Sequence, residues 1–156
     1  MLFKNKTTLK DRLKGISFLE NEIKDQSVFD AGCAEGLESQ YFLDHGASVV
    51  HGLDYSFIRI SEAQKLNRYY NNCIFKFSDF SKGKNLNQEW MLPKYDIVLL
   101  MNVFEEYDID NILPILHKTK KYFCYRGFIR EEVSKLCKSE GFKLVNKDYT
   151  LTFKAN

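Results

Sequence analysis

The chain of 156 residues is 44% hydrophobic and 28% charged, and its formal net charge at pH 7 is +2. These values are typical of one soluble globular domain, residues 1–156, and the small net charge gives no indication of a nucleic-acid partner. The N-terminal residues contain no apolar signal core, and no apolar run approaches the roughly 18 residues of a membrane span. The sequence therefore predicts a cytoplasmic protein without a membrane partner.

Four cysteines are scattered along the chain, with neither a CxxC pair nor a histidine at metal-ligand spacing. This pattern predicts free thiols in a reducing compartment and no metal site. The cysteines are Cys33, Cys73, Cys124 and Cys137.

Residues 1–24 are predicted to form an N-terminal helical segment ahead of an α/β core at 26–156. Apolar side chains recur at helical spacing through this segment, despite Gly15, and would cover one face of a sheet. They are Leu9, Leu13, Ile16, Leu19 and Ile23.

A strand, a loop of small residues and a helix are predicted in residues 27–45, which begin SVFDAGCAEG. Such a loop lets the backbone approach a ligand and directs free helix N–H groups at it. A second strand at 48–53 ends at Asp54, about 20 residues after the glycines, where an acid can bind both hydroxyls of a ribose. The arrangement predicts a nucleoside-containing cofactor.

Charge distinguishes between the candidate nucleosides. The three glycine positions of the dinucleotide pattern G-x-G-x-x-G read Gly32, Ala34 and Leu37, so the third glycine is missing. Asp30 and Glu35 would repel a diphosphate, and no Gly-Lys-Ser/Thr follows to form a phosphate-binding P-loop. S-adenosylmethionine has no phosphate and carries two cationic groups. The loop therefore favours this cofactor and disfavours a nicotinamide-dependent oxidoreductase.

The remaining chain alternates helices with apolar strands. Ser56 is predicted to cap one helix, and Pro114 to lie in the first turn of another that Asp110 caps. The loop 81–94 is polar, with one helical turn expected at Trp90. Further elements are expected as strands at 73–79, 95–101 and 122–125, a helix at 128–141, and a final strand or hairpin at 142–153 with a turn at 146–148.

This alternation predicts a doubly wound, mostly parallel α/β sheet of six to seven strands with helices on both faces. The last strand or hairpin is expected to be antiparallel. In such a fold the ligand lies at the carboxyl ends of the strands, at the switch point between the first and fourth.

The segment VFDAGCAEG resembles motif I of the class I S-adenosylmethionine-dependent methyltransferases, D-x-G-x-G-x-G after a strand. Asp30, Gly32 and Gly36 match this motif, and Ala34 replaces its middle glycine. The segment HGLDYS resembles the second motif, with Asp54 in the ribose-binding position. The resemblance extends over roughly residues 11–153, and it implies a class I (Rossmann-like) methyltransferase fold and activity.

The resemblance implies a methyl transfer from S-adenosylmethionine to an O or N nucleophile by in-line displacement. Asp79 would accept a hydrogen bond from the adenine amino group, although an aspartate that begins a turn is an equal alternative. Tyr55 and Phe57 would flank the adenine, or else be core aromatics. The predicted cofactor-binding residues are Asp30, Gly32, Cys33, Ala34, Gly36, Asp54, Tyr55, Asp79, Phe80 and Asn102. The basic side of the first helix, Lys10, Arg12 and Lys14, would help to hold the cofactor carboxylate.

The segment NVFEEY at 102–107 resembles the fourth motif of the family, N-V-L-E-H. Glu105 takes the position of the family's glutamate, while Glu106 replaces the usual histidine. Both glutamates are candidate catalytic bases, although acids at a helix start are more commonly partners of the helix dipole. A direct displacement at a sulfonium needs no nucleophile–base triad.

The methyl acceptor is not identified by the sequence, and a non-catalytic binding module or a subunit of a methyltransferase complex is an alternative. The connection at 125–128 is short, and about two dozen residues precede the first strand. Neither segment is long enough to form a lid over the site. We therefore expect a macromolecular acceptor, a homodimer partner or a partner subunit to close the site, unless the 81–94 loop and the first helix do so. The basic residues expected near this rim are Lys118, Lys120, Lys121, Arg126 and Arg130.

Overall fold

The computed structural model describes residues 9–101 and 109–156. Seven strands lie within these residues: β1 (Ser27–Ala31), β2 (Val49–Asp54), β3 (Cys73–Phe77), β4 (Tyr95–Met101), β5 (Thr119–Arg126), β6 (Phe142–Lys147) and β7 (Leu151–Ala155). They form one sheet in the order β3-β2-β1-β4-β5-β7-β6. Strands β1 to β5 are parallel, and β7 is antiparallel to both β5 and β6. The predicted fold class is confirmed, including the antiparallel final hairpin.

The described helices are α1 (Leu9–Arg12), α2 (Leu37–Asp44), α3 (Phe57–Leu66), α4 (Ile109–Leu116) and α5 (Arg130–Ser139), with 3₁₀ helices at Ser17–Glu22 and Ser81–Gly83. In these ranges no helix is long and apolar enough to cross a membrane.

Alternating side chains along each strand divide the core into two layers. Phe29 and Val98 pack with residues of α4 and α5 on one face, whereas Val28 and Ile97 pack with Phe42 of α2 on the other. Helices therefore cover both faces, as the alternation of elements predicted.

The predicted first helix is interrupted at Gly15, and this part of the prediction was wrong. Gly15 has a φ of +82°, and a Cβ at this position would lie 2.8 Å from the Cβ of Thr150. The helix breaks there, where Gly15 lies against Thr150 in the turn before β7, leaving α1 and the 3₁₀ helix Ser17–Glu22. Ile16 and Leu19 are nevertheless buried against the sheet, as their spacing predicted.

Smaller differences concern the ends of elements. Trp90 lies in a turn, and the 3₁₀ helix of its loop is at Ser81–Gly83 instead. Pro114 is the sixth residue of α4 as described, and Asp110 lies inside this helix. Ser56 caps α3 as predicted, because its hydroxyl accepts a hydrogen bond from the backbone N–H of Arg59. The last hairpin turns at 148–150.

Candidate functional site

The loop between β1 and α2 bends sharply at three positions. Gly32, Ala34 and Gly36 all have positive φ, at +77°, +48° and +78°. Gly32 and Cys33 donate their backbone N–H groups to the carbonyl of Leu53, at 2.8 and 2.9 Å, and Gly36 donates to the carbonyl of Cys33 at 2.9 Å. The loop is thereby fastened to the end of β2.

Asp54, the last residue of β2, completes this attachment with its side chain. One carboxylate oxygen accepts a hydrogen bond from the N–H of Ala34 at 3.0 Å, and the other accepts from the N–H of Ser56 at 2.8 Å. The side chain is only 4% exposed. Each carboxylate oxygen has a second lone pair, so the group retains acceptor capacity for a ligand hydroxyl.

Asp30 lies beneath the loop in β1 and is fully buried. The hydroxyl of Ser39 donates to its carboxylate at 2.6 Å. Burial, together with the negative charge of Glu38, raises the pKa of Asp30 to about 7. Sequence analysis did not single out Glu38 and Ser39. The signal available was their place in the first turn of α2, which folds back over β1.

Arg12 is the cation of this cluster. Its Nε lies 2.9 Å from Glu38, and its Nη1 lies 3.6 Å from Glu35. The N-terminal segment thus reaches the loop, with the side chain that we predicted to face the cofactor. Four carboxyl groups, of Asp30, Glu35, Glu38 and Asp54, surround the loop within the described structure.

Tyr55 and Phe57 follow directly after β2 and are 57% and 73% exposed. This exposure rules out the interpretation that they are core aromatics. Asp79 is exposed and accepts a hydrogen bond from the N–H of Ser81 at 2.9 Å, the geometry of an aspartate that begins a turn. The side chain of Phe80 is buried in the hydrophobic core.

Three predicted site residues, Asn102, Glu105 and Glu106, lie outside the described residues. They follow β4 in the sequence.

The predicted basic rim is divided between two edges of the sheet. Lys118, Lys120 and Lys121 lie at the beginning of β5, where Thr119 pairs with Tyr95, and this is the edge opposite the loop. Their assignment to the rim was wrong, because a link that precedes a parallel strand lies at the strand's amino end. Arg126 ends β5 and Arg130 begins α5, so these two are at the edge of the loop.

No protein-family model and no curated protein matches the sequence, but solved structures match the fold. Magnesium protoporphyrin IX methyltransferase from Synechocystis PCC 6803, with bound SAM, has a TM-score of 0.70 and 19% identity, covering 89% of this chain and 74% of its own. Burkholderia thailandensis 1,6-didemethyltoxoflavin-N1-methyltransferase has a TM-score of 0.69 and 16% identity, covering 90% and 76%. Ribosomal protein L11 methylase from Lactobacillus delbrueckii subsp. bulgaricus has a TM-score of 0.65 and 15% identity, covering 88% and 74%. The chain has the class I S-adenosylmethionine-dependent methyltransferase fold.

Proposed function

We propose that the protein is an S-adenosylmethionine-dependent methyltransferase that transfers a methyl group to an O or N nucleophile by in-line displacement. The observation that carries this proposal is the loop after β1, which is surrounded by carboxyl groups and uses its amides internally. Both features suit a cationic nucleoside and disfavour a phosphorylated one.

The engaged amides argue against a dinucleotide. A diphosphate binds to N–H groups that a glycine loop and helix N-terminus leave free. Here the N–H groups of Gly32 and Cys33 donate to Leu53, that of Ala34 to Asp54, and that of Gly36 to Cys33. The carboxyl groups of Glu35, Glu38 and Asp54 add electrostatic repulsion of an anion and attraction of a sulfonium and an ammonium. Asp30, with a pKa of about 7, is only partly ionised near neutral pH and adds less.

The residues present fit S-adenosylmethionine in defined positions. Asp54 would bind the ribose hydroxyls with its free lone pairs, and Tyr55 would flank the adenine. Asp30 lies on the methionyl side, under the loop, and Arg12 would hold the methionyl carboxylate. Asp79, Phe80 and Asn102 complete the proposed set, together with the loop residues Gly32, Cys33, Ala34 and Gly36.

When bound, S-adenosylmethionine supplies a methyl group that its sulfonium has already activated. The protein's task is then to hold a nucleophile about 3–3.5 Å from that methyl, in line with the breaking bond, and to exclude water. Glu105 and Glu106 are the proposed proton acceptors for a hydroxyl or amine nucleophile. The non-catalytic alternative has no observation in its favour among the described residues.

We further propose that the site is closed by a macromolecular acceptor, a second copy of the chain or a partner subunit. Large exposed side chains flank the site on both sides, at Tyr55, Phe57 and Phe77 on one and at Phe128 on the other. Light scattering with and without S-adenosylhomocysteine would determine the oligomeric state. A product-bound monomer whose own 81–94 loop seals the sulfur from solvent would contradict the proposal.

Thermal unfolding with a ligand panel tests the cofactor. A ligand at about 100 times its dissociation constant stabilises the folded state by roughly 2.7 kcal/mol. We expect stabilisation by S-adenosylmethionine and S-adenosylhomocysteine, and none by NAD or NADP. Stabilisation by NAD alone would overturn the proposal. Transfer of label from methyl-labelled S-adenosylmethionine to fractions of a cell extract would then test catalysis.

A further inference from the structure

The side chain of Arg126 is buried at the same edge of the sheet as the loop after β1. Not all of its N–H groups have a hydrogen-bond acceptor among the described residues. Arg126 is the last residue of β5, paired with Met101 at the end of β4, and is 3% exposed. Its Nε and Nη2 donate to the hydroxyl of Thr150, and Nη2 also donates to the carbonyls of Arg12 and Lys14. All these acceptors are uncharged.

The third nitrogen of the guanidinium, Nη1, is buried and has no hydrogen-bond partner in residues 9–101 and 109–156. Among the described residues, no carboxylate oxygen lies within 4 Å of the guanidinium nitrogens of Arg126. The ion pairs of these residues are all formed by other basic side chains. Burial lowers the pKa of Arg126, yet a guanidinium remains charged in proteins. The negative charge of Glu38 acts on the guanidinium without pairing with it. A buried cation that lacks a directly bonded anion is costly, so an anion bound at Nη1 would stabilise this arrangement.

The position of Arg126 in the sheet indicates which ligand would supply this anion. Along the edge, Asp54 ends β2, the loop follows β1, and Arg126 ends β5, two strands beyond β1 on the side away from Asp54. With neighbouring strands about 4.8 Å apart, Arg126 lies roughly 10 Å beyond the loop. A nucleoside at Asp54 and a methionyl group at the loop place the acceptor toward β4 and β5.

We propose that Arg126 binds an anionic group, a carboxylate or phosphate, of the methyl acceptor. The proposal rests on the proposed methyltransferase function. The two N–H groups of Nη1 match the oxygens of such an anion, and charge-assisted bonds of this kind are strong.

Two aromatic side chains border this subsite. The ring of Tyr149 lies over the guanidinium, with its centroid 4.6 Å from Cζ, and is 51% exposed. Phe128 is 82% exposed, two residues after Arg126. Tyr149 lies in the turn between β6 and β7, and binding of an anion at Nη1 would require its ring to move aside. A methyl acceptor that carries an anionic group on an apolar or aromatic framework would fit the guanidinium of Arg126 and these two rings.

The test uses the complete protein saturated with S-adenosylhomocysteine, with inorganic phosphate and acetate as probes at constant ionic strength. We expect saturable thermal stabilisation by at least one probe, weakened tenfold or more in Arg126→Gln. Arg130→Gln is the matched control, because its guanidinium is exposed and donates to the carbonyls of Asp148 and Tyr149. An equal response in wild type and Arg126→Gln would overturn the proposal.

If Arg126→Gln does not fold, Tyr149→Ala provides a second test of the proposal. Removal of the covering ring should tighten phosphate or acetate binding severalfold, and the Nε–H resonance of Arg126 should shift on titration. Absence of both effects would overturn the proposal.

Calorimetry with two nucleosides separates the sources of the anion. If Arg126→Gln weakens S-adenosylhomocysteine but not methylthioadenosine, which lacks the amino-acid part, the anion is the cofactor's own carboxylate and the acceptor assignment is wrong. Unchanged affinity for both supports the acceptor. Failure of S-adenosylhomocysteine to bind wild type would instead overturn the methyltransferase function, whatever the phosphate result.

Discussion

The carboxylate of Asp54 accepts a hydrogen bond from the backbone N–H of Ala34, 20 residues earlier in the chain, at 3.0 Å. The residue proposed to bind the ribose therefore also holds the loop that we propose faces the methionyl group. Because one buried side chain has both tasks, its replacement should affect the ligand and the loop together.

Asp54→Asn should weaken S-adenosylhomocysteine binding roughly ten- to a hundredfold, since a charge-assisted bond contributes about 1.5–3 kcal/mol. The amide retains one acceptor oxygen, so the variant should remain folded. Titration calorimetry measures the effect. Asp96→Asn is the control, because Asp96 accepts bonds from Ser27 at the opposite edge of the sheet. Its loss should lower stability and leave the affinity unchanged. Unchanged affinity in Asp54→Asn would mean that the ribose is held elsewhere.

The left-handed backbone of Ala34 predicts opposite effects for two substitutions. An L-residue in this region costs about 1–2 kcal/mol, and glycine loses about 0.5–1 kcal/mol through its unfolded-state freedom. Ala34→Gly should therefore raise the free energy of unfolding by up to about 1 kcal/mol and preserve ligand binding. Ala34→Val should lower stability and abolish tight binding, because a β-branched residue tolerates positive φ poorly.

Urea denaturation of these variants is compared with Ala31→Gly, in which glycine replaces a buried alanine of the regular strand β1. That control should lose stability. A loss of similar size in Ala34→Gly would show that the loop is not strained at this position.

Much of the fold was predictable because its determinants are local. The strand predicted at 95–101 coincides with β4, and Ser56 caps α3 where its side-chain chemistry indicated. The break at Gly15 was not predictable from periodicity, since it depends on a contact with Thr150 near the other end of the chain. Local apolar spacing is the same for a continuous helix and for a broken one.

The site was predictable in part, for a similar reason. The glycine loop and Asp54 form a sequence pattern with fixed spacing, by which they can be recognised. The residues that contact a buried charged side chain follow no such pattern. The unpaired nitrogen of Arg126 depends on the convergence of Arg12, Lys14 and Thr150 from both ends of the chain. Charge counting along the sequence placed Arg126 among the basic residues near the rim of the site, and only the fold shows that its side chain is buried.

The raised pKa of Asp30 predicts a pH-dependent stability. The unfolded carboxyl titrates near 3.8 and the folded one near 7, so between these values the folded state holds a proton that the unfolded chain releases. The free energy of unfolding contributed by this group therefore falls as pH rises from about 4 to about 7. Asp30→Asn removes the contribution, and its stability relative to wild type should increase over this range and level off above it.

Urea denaturation between pH 4 and pH 8 measures this difference. Arg12, Glu38, Ser39 and Asp54 influence Asp30 and remain in both proteins, so their own titration largely cancels. Asp79→Asn, at an exposed aspartate, is the control and should not reproduce the trend. A wild-type-to-variant difference that does not change with pH would show that Asp30 is ionised in the folded protein throughout.

Lys118 provides a test of which edge of the sheet is functional. Its buried Nζ donates to the carbonyls of Leu86 and Leu92 at 2.8 and 2.7 Å, which ties the 81–94 loop to the start of β5. Lys118→Met should lower the free energy of unfolding by about 1–3 kcal/mol, because two carbonyls lose their donor. It should leave S-adenosylhomocysteine affinity unchanged, since the loop after β1 is at the other edge. Lys121→Met, at an exposed lysine of β5, should alter the free energy of unfolding by less than about 0.5 kcal/mol. Loss of ligand affinity in Lys118→Met, at a temperature where the variant is folded, would place the 81–94 loop in the binding site.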